Sequence, residues 1–120
     1  MIIFMSKIIC VTNRKLCQGD FLTRIEQIAK HKPMAIILRE KDLSETEYED
    51  LARSVMKICY SEGVLCILHN FVDVAIQLNA EAIHMTFPAL RIMNSKDRET
   101  FRMIGASCHS AEEARKAESF

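Results

Sequence analysis

Residues 34–44 read MAIILREKDLS, five apolar or small residues followed at once by Arg39, Glu40 and Lys41 and then by polar turn residues. The run MAIIL does not alternate, so it fits a strand covered on both faces, as in a parallel sheet. KIICVT (7–12) and VLCIL (64–68) repeat the pattern, and EAIHM (81–85) and RMIGAS (102–107) are weaker versions of it. Amphipathic stretches lie between these runs. DFLTRIEQIAKH places Phe21, Ile25, Ile28 and Ala29 on one helical face, with Asp20 as N-cap. SETEYEDLARSVMKICYSEG starts at Ser44 with Glu47 three residues on, a capping box. Its apolar stripe runs through Leu51, Val55, Ile58 and Cys59, and Gly63 ends it. FVDVAIQLNA reads as a shorter helix, and SAEEARKAES repeats the capping box with Ser110 and Glu113. Strand then helix, repeated about five times, predicts an α/β fold of parallel βα units with right-handed crossovers.

The bulk numbers agree with one soluble domain spanning 1–120. Hydrophobic residues make up 49% and charged residues 27%, and there is no low-complexity stretch. Lys plus Arg and Asp plus Glu stand at 16 each, so no broad basic face is available and nucleic acid is not an expected partner. MIIFMS at the start lacks a basic region and a cleavage site, so neither a signal peptide nor a membrane span is expected there. The five cysteines are odd in number and form no C-x-x-C. Three of them sit inside apolar runs, which predicts buried reduced thiols in a cytoplasmic protein rather than zinc ligands or a disulfide framework.

Parallel βα units gather polar side chains at the C-terminal ends of their strands, the rim where barrel enzymes build their sites. Five rim groups are legible: Thr12–Asn13–Arg14, Arg39–Glu40–Lys41, His69–Asn70, His84 with Thr86, and Ser107 with His109. Arg39 and Lys41 stand two apart. They are either an anion clamp suited to a diphosphate, or a solvated charge run balanced by Glu40 and Asp42. Asn70 is placed to cap the following helix. His84, between Ile83 and Met85, reads as a core histidine, whereas His109 sits where an imidazole serves as acid–base group. Cys108 is read as packing, with the neighbouring imidazole as the only signal for reactivity. No Gly-x-Gly-x-x-Gly follows the first strand, where VTNRKLCQGD stands instead, and a dinucleotide fold loses support.

LREKDLSETEYEDLA, HNFVDVAIQLNAEAIHM and IGASCHSAEEARKAE, in this order and spacing, resemble the thiamin phosphate synthase and TenI (thiazole tautomerase) family. The resemblance runs from the first strand to the last residue. It implies a (β/α)8 barrel of thiamin biosynthesis, of which this sequence carries about five units, a partial TIM barrel; such barrels need about 200 residues or more. The synthase of that family joins an aminopyrimidine diphosphate to a thiazole phosphate, releasing pyrophosphate with magnesium through a pyrimidine carbocation. By resemblance, Arg39 and Lys41 hold the diphosphate, Asn70 faces the pyrimidine, and Ser107 bonds near the leaving group or pyrimidine. His109 matches the proton-transfer histidine of the TenI branch.

The departures point the same way. Where the family has Asn-Asp after strand three, this chain has Asn70–Phe71. Where it has His-Leu-Gly-Gln-x-Asp after strand four, the chain has His84-Met85-Thr86-Phe87-Pro88-Ala89, and Ile37 replaces a glutamine. Both magnesium carboxylates are therefore missing, so no metal or other cofactor is expected, although magnesium serves the family. The resemblance thus favours TenI-like thiazole phosphate handling over pyrimidine–thiazole coupling. A non-catalytic half-barrel that binds a phosphate ligand or only assembles is the alternative. An open sheet of five parallel strands would leave two apolar edges. Burying their faces, at roughly 25 cal/mol per Å², predicts a homo-oligomer.

Overall fold

A computed structural model of the chain describes residues 8–120. The reading of MIIFMS, and Lys7 of the first predicted strand, lie outside the described residues. The strands are β1 (Ile9–Val11), β2 (Ala35–Leu38), β3 (Leu65–His69), β4 (Ala82–Thr86) and β5 (Met103–Ser107). They follow one another in the sheet in chain order. The helices are α1 (Phe21–Lys30), α2 (Glu45–Glu62), α3 (Val72–Gln77), α4 (Phe87–Ile92), α5 (Ser95–Thr100) and α6 (Ala111–Glu118). The chain divides into two compact units, Met1–Ile67 and Leu68–Phe120, with the division inside β3.

In the first unit β1 and β2 pair in parallel, with Ile9 opposite Ala35, Cys10 opposite Ile36 and Val11 opposite Ile37. All four residues of β2 are buried, as its unbroken apolar run requires. α1 begins where the Asp20 carboxylate accepts from the Thr23 backbone N–H at 2.8 Å, and it buries Ile25 and Ala29. α2 carries the full reciprocal capping box of Ser44 and Glu47. It ends at Gly63, whose φ of 71° lies in the left-handed region that glycine adopts without strain. Its buried face is Tyr48, Ala52, Val55 and Cys59, while Leu51 and Ile58 of the predicted stripe are only half-buried. Tyr48 enters the core because its hydroxyl donates to the Leu38 carbonyl at 2.7 Å, which removes the cost of burying it.

In the second unit β4 and β5 pair in parallel from Ala82 opposite Met103 to Thr86 opposite Ser107. α3 ends before Asn79, another positive-φ residue. Two short helices that the periodicity does not reveal, α4 and α5, lie between β4 and β5. Thr86 caps the first by accepting from the Ala89 N–H, and Asn94 caps the second by accepting from the Asp97 N–H at 2.8 Å. At α6 Ser110 accepts from the Glu113 N–H as predicted, but Glu113 reaches back to the His109 backbone N–H rather than to that of Ser110. The box is shifted by one residue. All five cysteines are free thiols; Cys59 alone is fully buried and the other four are half-buried. A neighbouring Cys59 thiol and burial push the Cys66 thiol far up, so it stays protonated.

Gly105 of β5 faces the His84 ring: a Cβ there would lie 2.9 Å from His84 Cδ2. That ring is stacked on His69 at 5.6 Å between centroids and 17° between planes, so it cannot yield cheaply. Gly105→Ala should therefore destabilise the fold by about 1–3 kcal/mol, read by urea unfolding. The same change in a His84→Ala background should cost far less, and equal costs in both backgrounds would show that the ring is not the obstacle.

Acid should act through two caps. Backbone N–H bonds from Thr23 to Asp20 and from Ser44 to Glu47 hold both carboxyls below their ordinary values. A carboxyl lowered by folding contributes stability above its unfolded pKa, and loses it as pH falls through the lower folded value. Stability should thus decline below about pH 4, and Asp20→Asn with Glu47→Gln should narrow the gap between unfolding curves at neutral and acid pH. An unchanged gap would mean that neither cap carries the acid response.

Candidate functional site

Each unit carries one cluster of rim residues. In the first, the chain leaving β2 sorts its charges by burial. Glu40 is only 3% exposed, whereas Arg39 and Lys41 on either side are exposed. A buried carboxylate must find donors, and Glu40 finds three. The Thr12 hydroxyl donates to it at 2.6 Å, the Arg14 backbone N–H at 2.9 Å, and Arg14 Nη1 at 3.1 Å. The Thr12 hydroxyl in turn accepts from the Arg39 backbone N–H at 3.0 Å. Arg14 is brought into place by a single 3-10 turn over Arg14–Leu16, opened by Asn13, which accepts from the Lys15 N–H. The other side of the Arg14 guanidinium takes Asp42 through Nη2 at 2.9 Å.

This wiring bears on one of the two sequence readings of LREKD, the balanced charge run. Glu40 and Asp42 do not balance Arg39 and Lys41; Arg14 holds both acids. Lys15 adds a looser contact to Asp42 at 3.8 Å. Among the described residues, neither Arg39 nor Lys41 has an ion-pair or side-chain hydrogen-bond partner. Two exposed cations, with the nearby acids already occupied, are what an anion would meet at this strand end.

In the second unit Asn70 follows β3 with φ of 62°, a conformation Asn tolerates better than most residues. It does not cap α3, as the sequence suggests; Phe71 holds the N-cap position. Asn70 instead ties the ends of two strands together. Its backbone N–H donates to the His84 carbonyl at 3.1 Å, and its Oδ1 accepts from the Thr86 N–H at 3.0 Å. A cap would use the oxygen locally, but the left-handed backbone turns it toward β4. His69 is buried and stacked on half-buried His84. Ser107, at the end of β5, pairs in register with Thr86, and both Ser107 and His109 are exposed. Glu113 fixes the His109 backbone at 2.9 Å and leaves its imidazole in solvent.

Of these rim residues, Thr12 and Asn13 line the smaller of two sizeable cavities. One, of about 700 Å³, lies in the second unit and is lined by Leu90, Ile104, Cys108 and Phe120 among others. The other, of about 420 Å³, lies in the first unit beside Cys10, Cys17 and Ile25. Arg39, Lys41, Asn70, Ser107 and His109 line neither. Among the described residues no three His, Cys, Asp or Glu side chains group to hold a metal ion. Phe71 and Ala89 offer no side-chain oxygen to a hard cation. No helix among the described residues is long and apolar enough to cross a membrane.

Sequence reasoning placed Thr12 and Arg14 at the rim without a role, and read Glu40 only as a rim residue or as a charge balancing its neighbours. The only signal was an acid flanked by two bases directly after a fully buried strand, and charge alone does not say which of the three turns inward.

Comparison with known proteins fits this picture. A family model described as thiamine monophosphate synthase (TMP-TENI) matches residues 8–120. The thiamine-phosphate synthase of Fusobacterium nucleatum subsp. nucleatum is 32% identical over 115 residues, covering 93% of this chain and 55% of that protein. That of Clostridium acetobutylicum is 32% identical over 116 residues, covering 93% and 54%. The chain thus spans about half the length of the curated relatives it matches. The structure of thiamine phosphate pyrophosphorylase from Pyrococcus furiosus matches with a TM-score of 0.74 at 22% identity, over 92% of this chain and 54% of that one. That likeness shows the fold, the α/β βα-unit class expected of a partial TIM barrel. With every described residue inside the match to one family model, this chain belongs to the thiamine monophosphate synthase family.

Proposed function

We propose that the chain acts in thiamin biosynthesis on a thiazole phosphate, moving a proton on it as a TenI-like protein rather than coupling pyrimidine to thiazole. Family membership supports the pathway. One observation carries the choice of branch: Phe71 and Ala89 stand where coupling enzymes of the family place magnesium carboxylates. Without that ion, negative charge building on a departing diphosphate would rest on Arg39 and Lys41 alone, whereas a proton shift on a bound phosphate needs no such relief.

Arg39 and Lys41 anchor the phosphate or diphosphate, supported by their exposure and their lack of acidic partners among the described residues. His109 is the proton carrier, because an imidazole exchanges protons near neutrality and its backbone is held by Glu113. Asn70, its oxygen already engaged, offers its amide N–H2 to a ligand acceptor, and Ser107 offers a hydroxyl. Free thiols agree with a reducing cytoplasm. Self-association belongs to the same proposal. Ile9 and Val11 of β1 are 46% and 56% exposed and Met103 of β5 is 51% exposed, apolar surface that a second copy would cover.

The test is a turnover assay with both thiazole phosphate tautomers, the aminopyrimidine diphosphate and magnesium, following tautomer exchange and thiamin phosphate together. Tautomer exchange is expected, falling by about a hundredfold or more in His109→Ala. Lys41→Ala should mainly raise KM. Thiamin phosphate formation that vanishes in Lys41→Ala would overturn the branch assignment, and the absence of both signals would leave the non-catalytic half-barrel. Sedimentation at micromolar concentration should show an oligomer; a monomer would overturn the self-association.

A further inference from the structure

We infer that Glu40 and Thr12 are positioning residues for the anion anchor, resting on the assignment of Arg39 and Lys41 to that role. The geometry is contained in the first unit. The Glu40 carboxylate is nearly inaccessible and receives only donors: one hydroxyl, one backbone N–H and one guanidinium N–H. The Thr12 hydroxyl relays this fixation, because it donates to Glu40 while accepting from the Arg39 N–H. Tyr48 holds the preceding carbonyl, that of Leu38. The peptide unit joining Leu38 to Arg39 is thus held at both its C=O and its N–H, and the Glu40 side chain just beyond it is held as well, so Arg39 and Lys41 project from a backbone fixed on this side. A flexible pair of cations loses side-chain and backbone entropy on binding an anion; a pinned pair loses less.

The chemistry of the network makes the idea sharp. Glutamine has nearly the shape of glutamate but carries one donor. If its N–H2 faces Arg14, donor meets donor. If it faces Thr12, the hydroxyl must accept from both the amide and Arg39, and its own proton loses its acceptor. Either orientation leaves one donor of the network without its acceptor. Removing the Glu40 charge by itself would strengthen anion binding, because one like charge near the anion disappears. Positioning and charge therefore predict opposite signs for the same substitution.

The experiment is calorimetric titration of the full chain with inorganic pyrophosphate, without magnesium, at a temperature where circular dichroism shows each variant folded. Glu40→Gln should weaken pyrophosphate binding by about tenfold, the equivalent of one lost buried hydrogen bond. Thr12→Val should weaken it similarly, and Thr12→Ser, which keeps the hydroxyl, should restore it. Tighter binding by Glu40→Gln, or unchanged affinity in both Glu40→Gln and Thr12→Val, would overturn the inference while leaving the anchor intact. Unchanged binding in Lys41→Ala and Arg39→Ala would instead overturn the anchor, and the positioning role with it. If Glu40→Gln does not fold, the contrast between Thr12→Val and Thr12→Ser decides alone.

Discussion

A carboxylate taken out of water has to be given donors, and in this protein that requirement organises the first unit. Glu40 is buried at the end of β2 and draws Thr12 and Arg14 from the end of β1 onto itself. The β1–β2 ladder runs through Thr12, whose N–H donates to the Ile37 carbonyl, so the network lies directly beyond the last ladder bond. Because Arg14 also holds Asp42, both acids of the REKD stretch are engaged by residues from the neighbouring strand end. Removing one partner of such a buried group costs far more than the net worth of any one of its bonds. The exposed cations Arg39 and Lys41 are what remains when the acids have been withdrawn.

The second unit solves the related problem of holding loop backbone at strand ends with neutral groups. Asn70 accepts a left-handed backbone and uses its side chain to reach the N–H of Thr86, the last residue of β4. Thr86, which donates that N–H, also begins α4 with its hydroxyl, and Ser107 stands opposite it in the next strand. Gly105 leaves space for the His84 ring, so the strand ends are fitted to one another by ring packing as well as by hydrogen bonds. Phe71 opens α3, and Ala89 donates its N–H to the Thr86 cap, so both residues serve helix starts.

What was legible in the sequence follows the range of each interaction. Strands β2 to β5 were placed within a residue or so because their apolar runs are continuous, and β1, read as 7–12, is shorter. α1 and α2 were readable from caps at Asp20, Ser44 and Gly63, all of which act within four residues. α4 and α5 were not, because six residues are too few for a helical period to show. The shifted capping box at Glu113 and the unused cap at Asn70 show how a short-range rule is overridden by the backbone next to it. At the candidate site the exposed cations were legible by type, and the acid between them was not. Whether Glu40 faces inward depends on Thr12 and Arg14, more than twenty residues away, and on a 3-10 turn without a strong sequence signal.

In the function proposed, Arg39 and Lys41 meet an anion because Arg14 holds both Glu40 and Asp42, with Thr12 as a second partner of Glu40. A crystal structure of the chain soaked with inorganic pyrophosphate tests it most directly. The expected result is an anion bound by Arg39 and Lys41 while Glu40 keeps its bonds to Thr12 and Arg14. Glu40 or Asp42 turned outward onto Arg39 or Lys41, with no anion between them, would contradict it.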